Sequence, residues 1–247
     1  MTAIEMLPLW FALAVTATMP VFALVSRNRP RDPDVARRSA SALLGFWVRD
    51  WLMWIIGPVE RRLVRSGVSP DLFNYLGVAF GAAAGVAFAV GALALAGWGV
   101  LLGGLADVFD GRIARARGIT NRYGAFMDST LDRFAEAFSF VGVTWYLSDR
   151  PLGAAVSVLA ITGSLLVSYT RARGEAVGVT GTGGIMQRAE RLVLLALGAF
   201  ADTAMSTGRD WPEGVVLLGA VAIIAVGSMG TAIYRTASIA RTLSKQD

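Results

Sequence analysis

The chain has no cysteine and no histidine among its 247 residues. That excludes disulfides, thiol nucleophiles, imidazole acid–base chemistry and any zinc site built on nitrogen or sulfur ligands. Lysine is nearly absent as well, for the 23 basic residues are arginines apart from Lys245. With 28 glycines and abundant alanine, this skew fits a GC-rich bacterial genome better than a nucleic-acid surface, and no nucleic-acid partner is expected. Charge as a whole is scarce, 17% against 55% hydrophobic residues, and a mean hydropathy of +0.56 does not describe a water-soluble globule. Chemistry is left to Asp, Glu, Arg, Ser, Thr and Tyr, and any metal must be hard and oxygen-ligated.

Hydrophobic blocks set the organisation. No charge occurs between Glu5 and Arg27, a run of about 21 residues that, at ~1.5 Å per residue, matches the ~30 Å hydrocarbon layer. Residues 7–26 are read as a first spanning helix rather than a signal peptide, because Arg27, Arg29, Arg31, Arg37 and Arg38 follow the run instead of preceding it. Residues 27–35 form a Pro-, Asp- and Arg-rich linker. The stretch 39–65, with Trp47, Trp51 and Trp54 between arginines, suits the membrane interface, where it serves as an amphipathic anchor or lies beside a site on the cytoplasmic leaflet. Leu72 to Ala106 is uncharged and too long for one helix, so it divides near Gly91–Gly97 into helices over 70–91 and 96–117. Further helices are predicted over 124–147, 152–172, 188–206 and 214–235. Segments 27–65, 107–133, 171–191 and 235–247 hold every basic residue except Arg150 and Arg209. They fall on every second connection, as the positive-inside rule requires, placing the N-terminus outside and the C-terminus inside. The expected fold is therefore an all-α integral membrane protein, a six-helix transmembrane core with an interfacial amphipathic helix and one extra N-terminal transmembrane helix. Its regions are 1–35, 36–66 and 67–247.

Asp107, Asp110, Asp128, Asp132 and Glu136 crowd the place where two of these helices meet the basic side. Carboxylates in or near a bilayer are costly and face a cavity, a partner or an ion. Asp107 and Asp110 share a helix face with Gly103 and Ala114, and Asp128 and Asp132 share one with Gly124. If the two stripes face each other, four anions converge, and one or two divalent cations, magnesium or manganese, relieve the repulsion. The plainer alternative is ion pairing with Arg112, Arg115, Arg117, Arg122 or Arg133.

Residues 107–132 fit D-x2-D-G-x2-A-R-x8-G-x3-D-x3-D without a gap. This resembles the signature of the CDP-alcohol phosphotransferases, and the wider resemblance covers the six-helix core, roughly 68–240. The resemblance implies transfer of a phosphatidyl group from CDP-diacylglycerol to an alcohol with release of CMP. It also implies metal ligation by Asp107, Asp110, Asp128 and Asp132, a general-base role for Asp132, and a homodimer. Gly111 and Gly124, with Ala114 beside them, would let the nucleotide approach the backbone, and Arg115 would pair with the diphosphate. Tight helix packing accounts equally well for the glycines. The segment Ser69–Gly77 resembles a second family feature, with Pro70 and Asn74 as nucleotide-side candidates, although relatives are expected to carry Pro-Asn and Thr where this chain has Pro70-Asp71 and Asn74. Lipid tails and nucleotide must reach the carboxylates from different sides, so a cavity near Gly103, Gly104 and Gly111 is expected.

The segment from Ser168 to Leu192 resembles bacterial enzymes of this family that use phosphorylated acceptors, above all the phosphatidylinositol-phosphate synthases. Arg188 and Arg191 lie one turn apart, and Arg171 or Arg173 would close a phosphate pocket. Inositol phosphate is the first acceptor expected and glycerol 3-phosphate the second. Ordinary positive-inside charge, with Arg171 paired to Glu175, is the simpler reading of these arginines. Outside this class, a membrane cation transporter would also cluster acids, but at the midplane and with an inverted repeat, neither of which is visible. An inactive scaffold is disfavoured because all four aspartates are present.

Overall fold

The computed structural model describes residues 10, 13–28, 32, 45–180, 183–208 and 211–245. Among them it is all-helical: α1 (Met19–Val25), α2 (Gly45–Ser66), α3 (Pro70–Ala89), α4 (Leu93–Ala116), α5 (Arg122–Tyr146), α6 (Gly153–Ala176), α7 (Arg188–Gly208) and α8 (Val215–Leu243). The six expected core helices are present, and the sixth-from-N-terminal and last of the series run on past their apolar blocks into arginine-bearing turns. Four helices, α3, α4, α6 and α8, are long and apolar enough to cross a membrane by composition alone. Helices α5 and α7 match them in length but carry the acids and arginines of the site, which lowers their hydropathy. Residues 7–9, 11 and 12 of the expected first span, most of the linker 27–35 and residues 36–44 lie outside the described residues, as does Arg209. Within the rest, the N-terminal segment is helical and apolar from Leu13 to Val25.

Helix α3 is the spine of one half. Both α4 and α5 pack on it, while α6 packs on α8, and α7 sits between α4 and α8. Small residues make the first half tight. A Cβ on Gly85 would run into the Phe138 carbonyl, one on Gly142 into the Gly85 carbonyl, and one on Gly81 would sit 2.6 Å from the Ala135 backbone. On the other side Gly99 meets Ala84, and Gly103 meets the Gly77 carbonyl. Backbones that approach this closely gain dispersion contact along their whole length, the chief source of helix association where lipid replaces water.

Local sequence fixes the ends. Ser69 caps α3 by accepting from the Asp71 N–H at 3.3 Å, with Pro70 in the first turn. Gly118, at φ +64°, stops α4, and the Ile119 N–H returns to the Ala114 carbonyl, the left-handed glycine termination. Three residues later the Asn121 side chain caps α5, accepting from the Gly124 N–H at 2.7 Å. This short turn returns the chain directly, so the end of α4 and the start of α5, with their aspartates, emerge side by side. At the opposite end Asp202 accepts from the N–H groups of Gly214 and Leu217 at 2.7 and 2.9 Å and ties α7 to the start of α8.

Candidate active site

Asp107 and Asp110 stand on the last turns of α4, and Asp128 and Asp132 on the first half of α5. Asp107, Asp110 and Asp128 each present a carboxylate oxygen within 4.8 Å of the others. Asp110 is buried, and Asp128 Oδ1 is buried without a hydrogen-bond partner among the described residues. An orphaned carboxylate oxygen beside two other carboxylates is costly unless a cation joins it. Three carboxylate oxygen donors, in a chain without histidine or cysteine, fit magnesium or manganese.

The fourth aspartate is turned differently. Asp132 Oδ1 receives Arg188 Nη2 at 2.7 Å, and Arg188 Nη1 reaches Asp107 Oδ2 at 2.7 Å, while Arg133 stands 3.6 Å from Asp132 Oδ2. The expectation of four convergent carboxylates thus becomes three in mutual reach and a fourth joined to them through a guanidinium from α7. Beside them a small cleft is lined by Phe73, Asn74, Gly77, Asp107, Asp110 and Asp132. Asn74 therefore belongs to the site's wall, whereas Pro70 remains at the start of α3.

Among the other nucleotide-side candidates, Gly111 lies under the Arg115 side chain, whose guanidinium would be 3.0 Å from a Cβ placed there. Gly124 sits in the capped first turn of α5, and Ala114 is half-buried on α4. Gly103 and Gly104 are consumed by packing, the first on α3 and the second against Leu192 of α7. The cleft lies between α3, α4 and α5, and its Gly77 is the residue on which Gly103 packs.

The four acceptor-side arginines separate into distinct environments. Arg188 is in the carboxylate cluster. Arg191 is buried and forked onto Glu136, Nε to Oε1 at 2.8 Å and Nη2 to Oε2 at 3.2 Å. Arg171 pairs with Glu175 at 2.9 Å on the surface, and Arg173 is exposed. Sequence reasoning missed Arg235 as an individual residue. It is 5% exposed, donates to the carbonyls of Gly183 and Val167 at 2.9 and 2.8 Å, and lies within electrostatic reach of Arg171 and Arg191. The signal was available, since Arg235 is the first charge in the 29-residue α8, and a lone charge deep in an apolar helix marks a partner or a ligand.

Carboxylates grouped for a hard cation, beside arginines on a membrane-spanning bundle, define a metal-dependent enzyme that acts on phosphate groups at a membrane. The family follows from direct comparison. Residues 68–231 match the model of the CDP-alcohol phosphatidyltransferases, and the chain belongs to that family. It is 35% identical over 231 residues to the phosphatidylinositol phosphate synthase of Streptomyces avermitilis, covering 91% of this chain and 92% of that one. The enzyme of the same name from Mycolicibacterium smegmatis is 34% identical over 193 residues, 74% of this chain and 82% of the relative. Crystal structures of the Mycobacterium tuberculosis phosphatidylinositol phosphate synthase superpose with a TM-score of 0.64 at 33% identity over 74% of this chain. One has CDP-DAG bound and the other manganese and citrate, and 92% and 87% of those chains are covered.

Proposed function

We propose that this protein transfers the phosphatidyl group of CDP-diacylglycerol to a hydroxyl of inositol phosphate, releasing CMP. The observation that carries the reading is the group of Asp107, Asp110 and Asp128 beside Asp132, the half-buried Arg188 and two buried arginines, in a chain more than a third identical to a phosphatidylinositol phosphate synthase over nearly its whole length.

Asp107, Asp110 and Asp128 would hold the divalent metal, with Asp132 on its acceptor side. A bound ion, or two, supplies charge neutralisation for the diphosphate and for the departing CMP. The chain does the rest. Asp132 accepts the proton of the acceptor hydroxyl as that oxygen bonds to the phosphatidyl phosphorus and the bond to CMP breaks. Arg188, bridged to Asp132 and Asp107, holds the base in place. Arg115 with Gly111, Ala114 and Gly124 forms the diphosphate side, and Asn74 the cleft wall, with Pro70 setting the start of its helix.

Arg171, Arg173, Arg188 and Arg191 remain the acceptor-phosphate group, and Arg235 joins them. A buried guanidinium satisfied by backbone carbonyls keeps its full positive charge, and a phosphate dianion is the natural complement. Bacterial relatives and the distribution of arginine support residence in the cytoplasmic membrane, with this end of the bundle facing the cytoplasm, the N-terminus outside and the C-terminus inside. A homodimer is the assembly we expect, and cross-linking in native membranes tests it.

The reaction is tested by CMP release from the purified protein with CDP-diacylglycerol and manganese or magnesium, comparing inositol phosphate, glycerol 3-phosphate, inositol and serine. We expect release with inositol phosphate that stops on chelation and returns with either ion. Preference for glycerol 3-phosphate would replace the acceptor, and absence of release with all four would overturn the reading.

A further inference from the structure

Helix α2 lies outside the matched residues 68–231, and its interfacial composition by itself asks for nothing beyond an anchor. Its contacts ask for more. Arg49, Met53, Ile56 and Glu60 are spaced to share one face, and this face is charged at its two ends and apolar between them. Ile56 is 5% exposed and packs in a cluster with Phe73 of α3 and with Ala106, Phe109 and Ile113 of α4.

The two charged ends reach opposite sides of the active site. Arg49 Nη2 stands 3.6 Å from Glu190 Oε1, in the first turn of α7 between Arg188 and Arg191. Glu60 Oε2 accepts from Arg112 Nε at 2.6 Å, two residues beyond Asp110 on α4. Arg112 also donates to both oxygens of Asp32 at 3.2 and 3.1 Å and contacts Met53 Sδ at 3.1 Å. Arg49 and Glu60 are eleven residues apart, which is about 16 Å along a rigid helix.

We infer that α2 is a brace across the active site, with Arg49 and Glu60 as positioning residues that set the arginine-bearing start of α7 at a fixed distance from the carboxylate-bearing end of α4. Largely buried ion pairs of this kind contribute little net stability, because desolvation offsets their attraction, and their best-attested use is to fix register. Glu60 shares Arg112 with Asp32, so its loss removes one of the two carboxylates that hold the end of α4 at this place. Arg49 ties Glu190, which lies between the two arginines of the acceptor side, to α2, so its loss releases the first turn of α7 from this helix. The brace rests on the phosphatidyl-transfer reading for its acceptor arm only.

The test uses the full-length protein in detergent, with Mn2+ affinity read by the EPR signal of the free ion and acceptor KM read from CMP release. We expect Arg49→Gln to raise acceptor KM about fivefold with Mn2+ affinity within about twofold of the unaltered protein, and Glu60→Gln to do the reverse. Arg49→Lys and Glu60→Asp, which keep charge while changing reach, should recover part of each loss and give the same split if a glutamine variant does not fold. Unchanged values in both glutamine variants overturn the brace. So does parallel loss of both parameters, which is the mark of general loosening. If the unaltered protein releases no CMP with any acceptor, the transfer reading fails separately, and Mn2+ affinity in Glu60→Gln alone decides for or against the brace.

Discussion

At the scale of single residues, the site divides its four aspartates by environment. Asp128, with its orphaned buried oxygen, belongs to the three proposed to hold the metal, while Asp132 is engaged by Arg188. Asp128→Asn should therefore weaken Mn2+ binding together with turnover. Asp132→Asn should cut turnover about 100-fold or more, the range of a lost general base, while Mn2+ binding largely survives; normal turnover in that variant refutes its role as base. Arg235→Gln should raise the acceptor KM about tenfold with kcat less affected, as expected for a charge-assisted phosphate contact. The aspartates were legible in the sequence because acids are so rare in membrane helices that five together demand an explanation. The arginines were less so. Arg191 and Arg188 look equivalent one turn apart, and only the fold shows that the first is forked onto Glu136 and the second enters the carboxylates.

At the scale of elements, helix boundaries followed from charge-free runs, whereas the caps Ser69, Asn121 and Gly118 are seen in the fold. What the runs underestimated was the length of α6 and α8, since hydropathy ends where arginines begin but helical hydrogen bonding does not. Helix pairing was not readable in the same way. Nothing in the spacing of the α3 glycines said that Gly81 and Gly85 would take α5 while Gly77 took α4. Gly85→Ala should push α3 from α5 and cost about 1–3 kcal/mol, the usual price of overpacking, seen as a lower thermal midpoint in detergent. Glu136→Gln should cost about 3–5 kcal/mol, because it strands Arg191 as a buried charge; a midpoint equal to that of the unaltered protein would show that the pair is dispensable.

At the scale of the whole molecule, orientation can be measured directly because the chain has no cysteine of its own. A cysteine introduced at exposed Leu152, in the turn between α5 and α6, should react with a membrane-impermeant maleimide added to intact cells. One at exposed Ile119, between α4 and α5, should react only after the cells are opened. The reverse pattern would invert the topology and with it the side from which CMP leaves. The crossing of α4 and α5 on the same helix has a consequence for how this site can change over time. The carboxylates proposed to hold the metal sit on α4 and α5, and both helices take their position from the small-residue flank of α3, which itself contributes no carboxylate to the cluster. That helix acts as a shared datum line, as a single benchmark does for two survey points. A shift along it carries both sets of aspartates together, so its sequence can vary on the lipid-facing side, while a change on the glycine side alters the geometry of carboxylates that it does not itself supply.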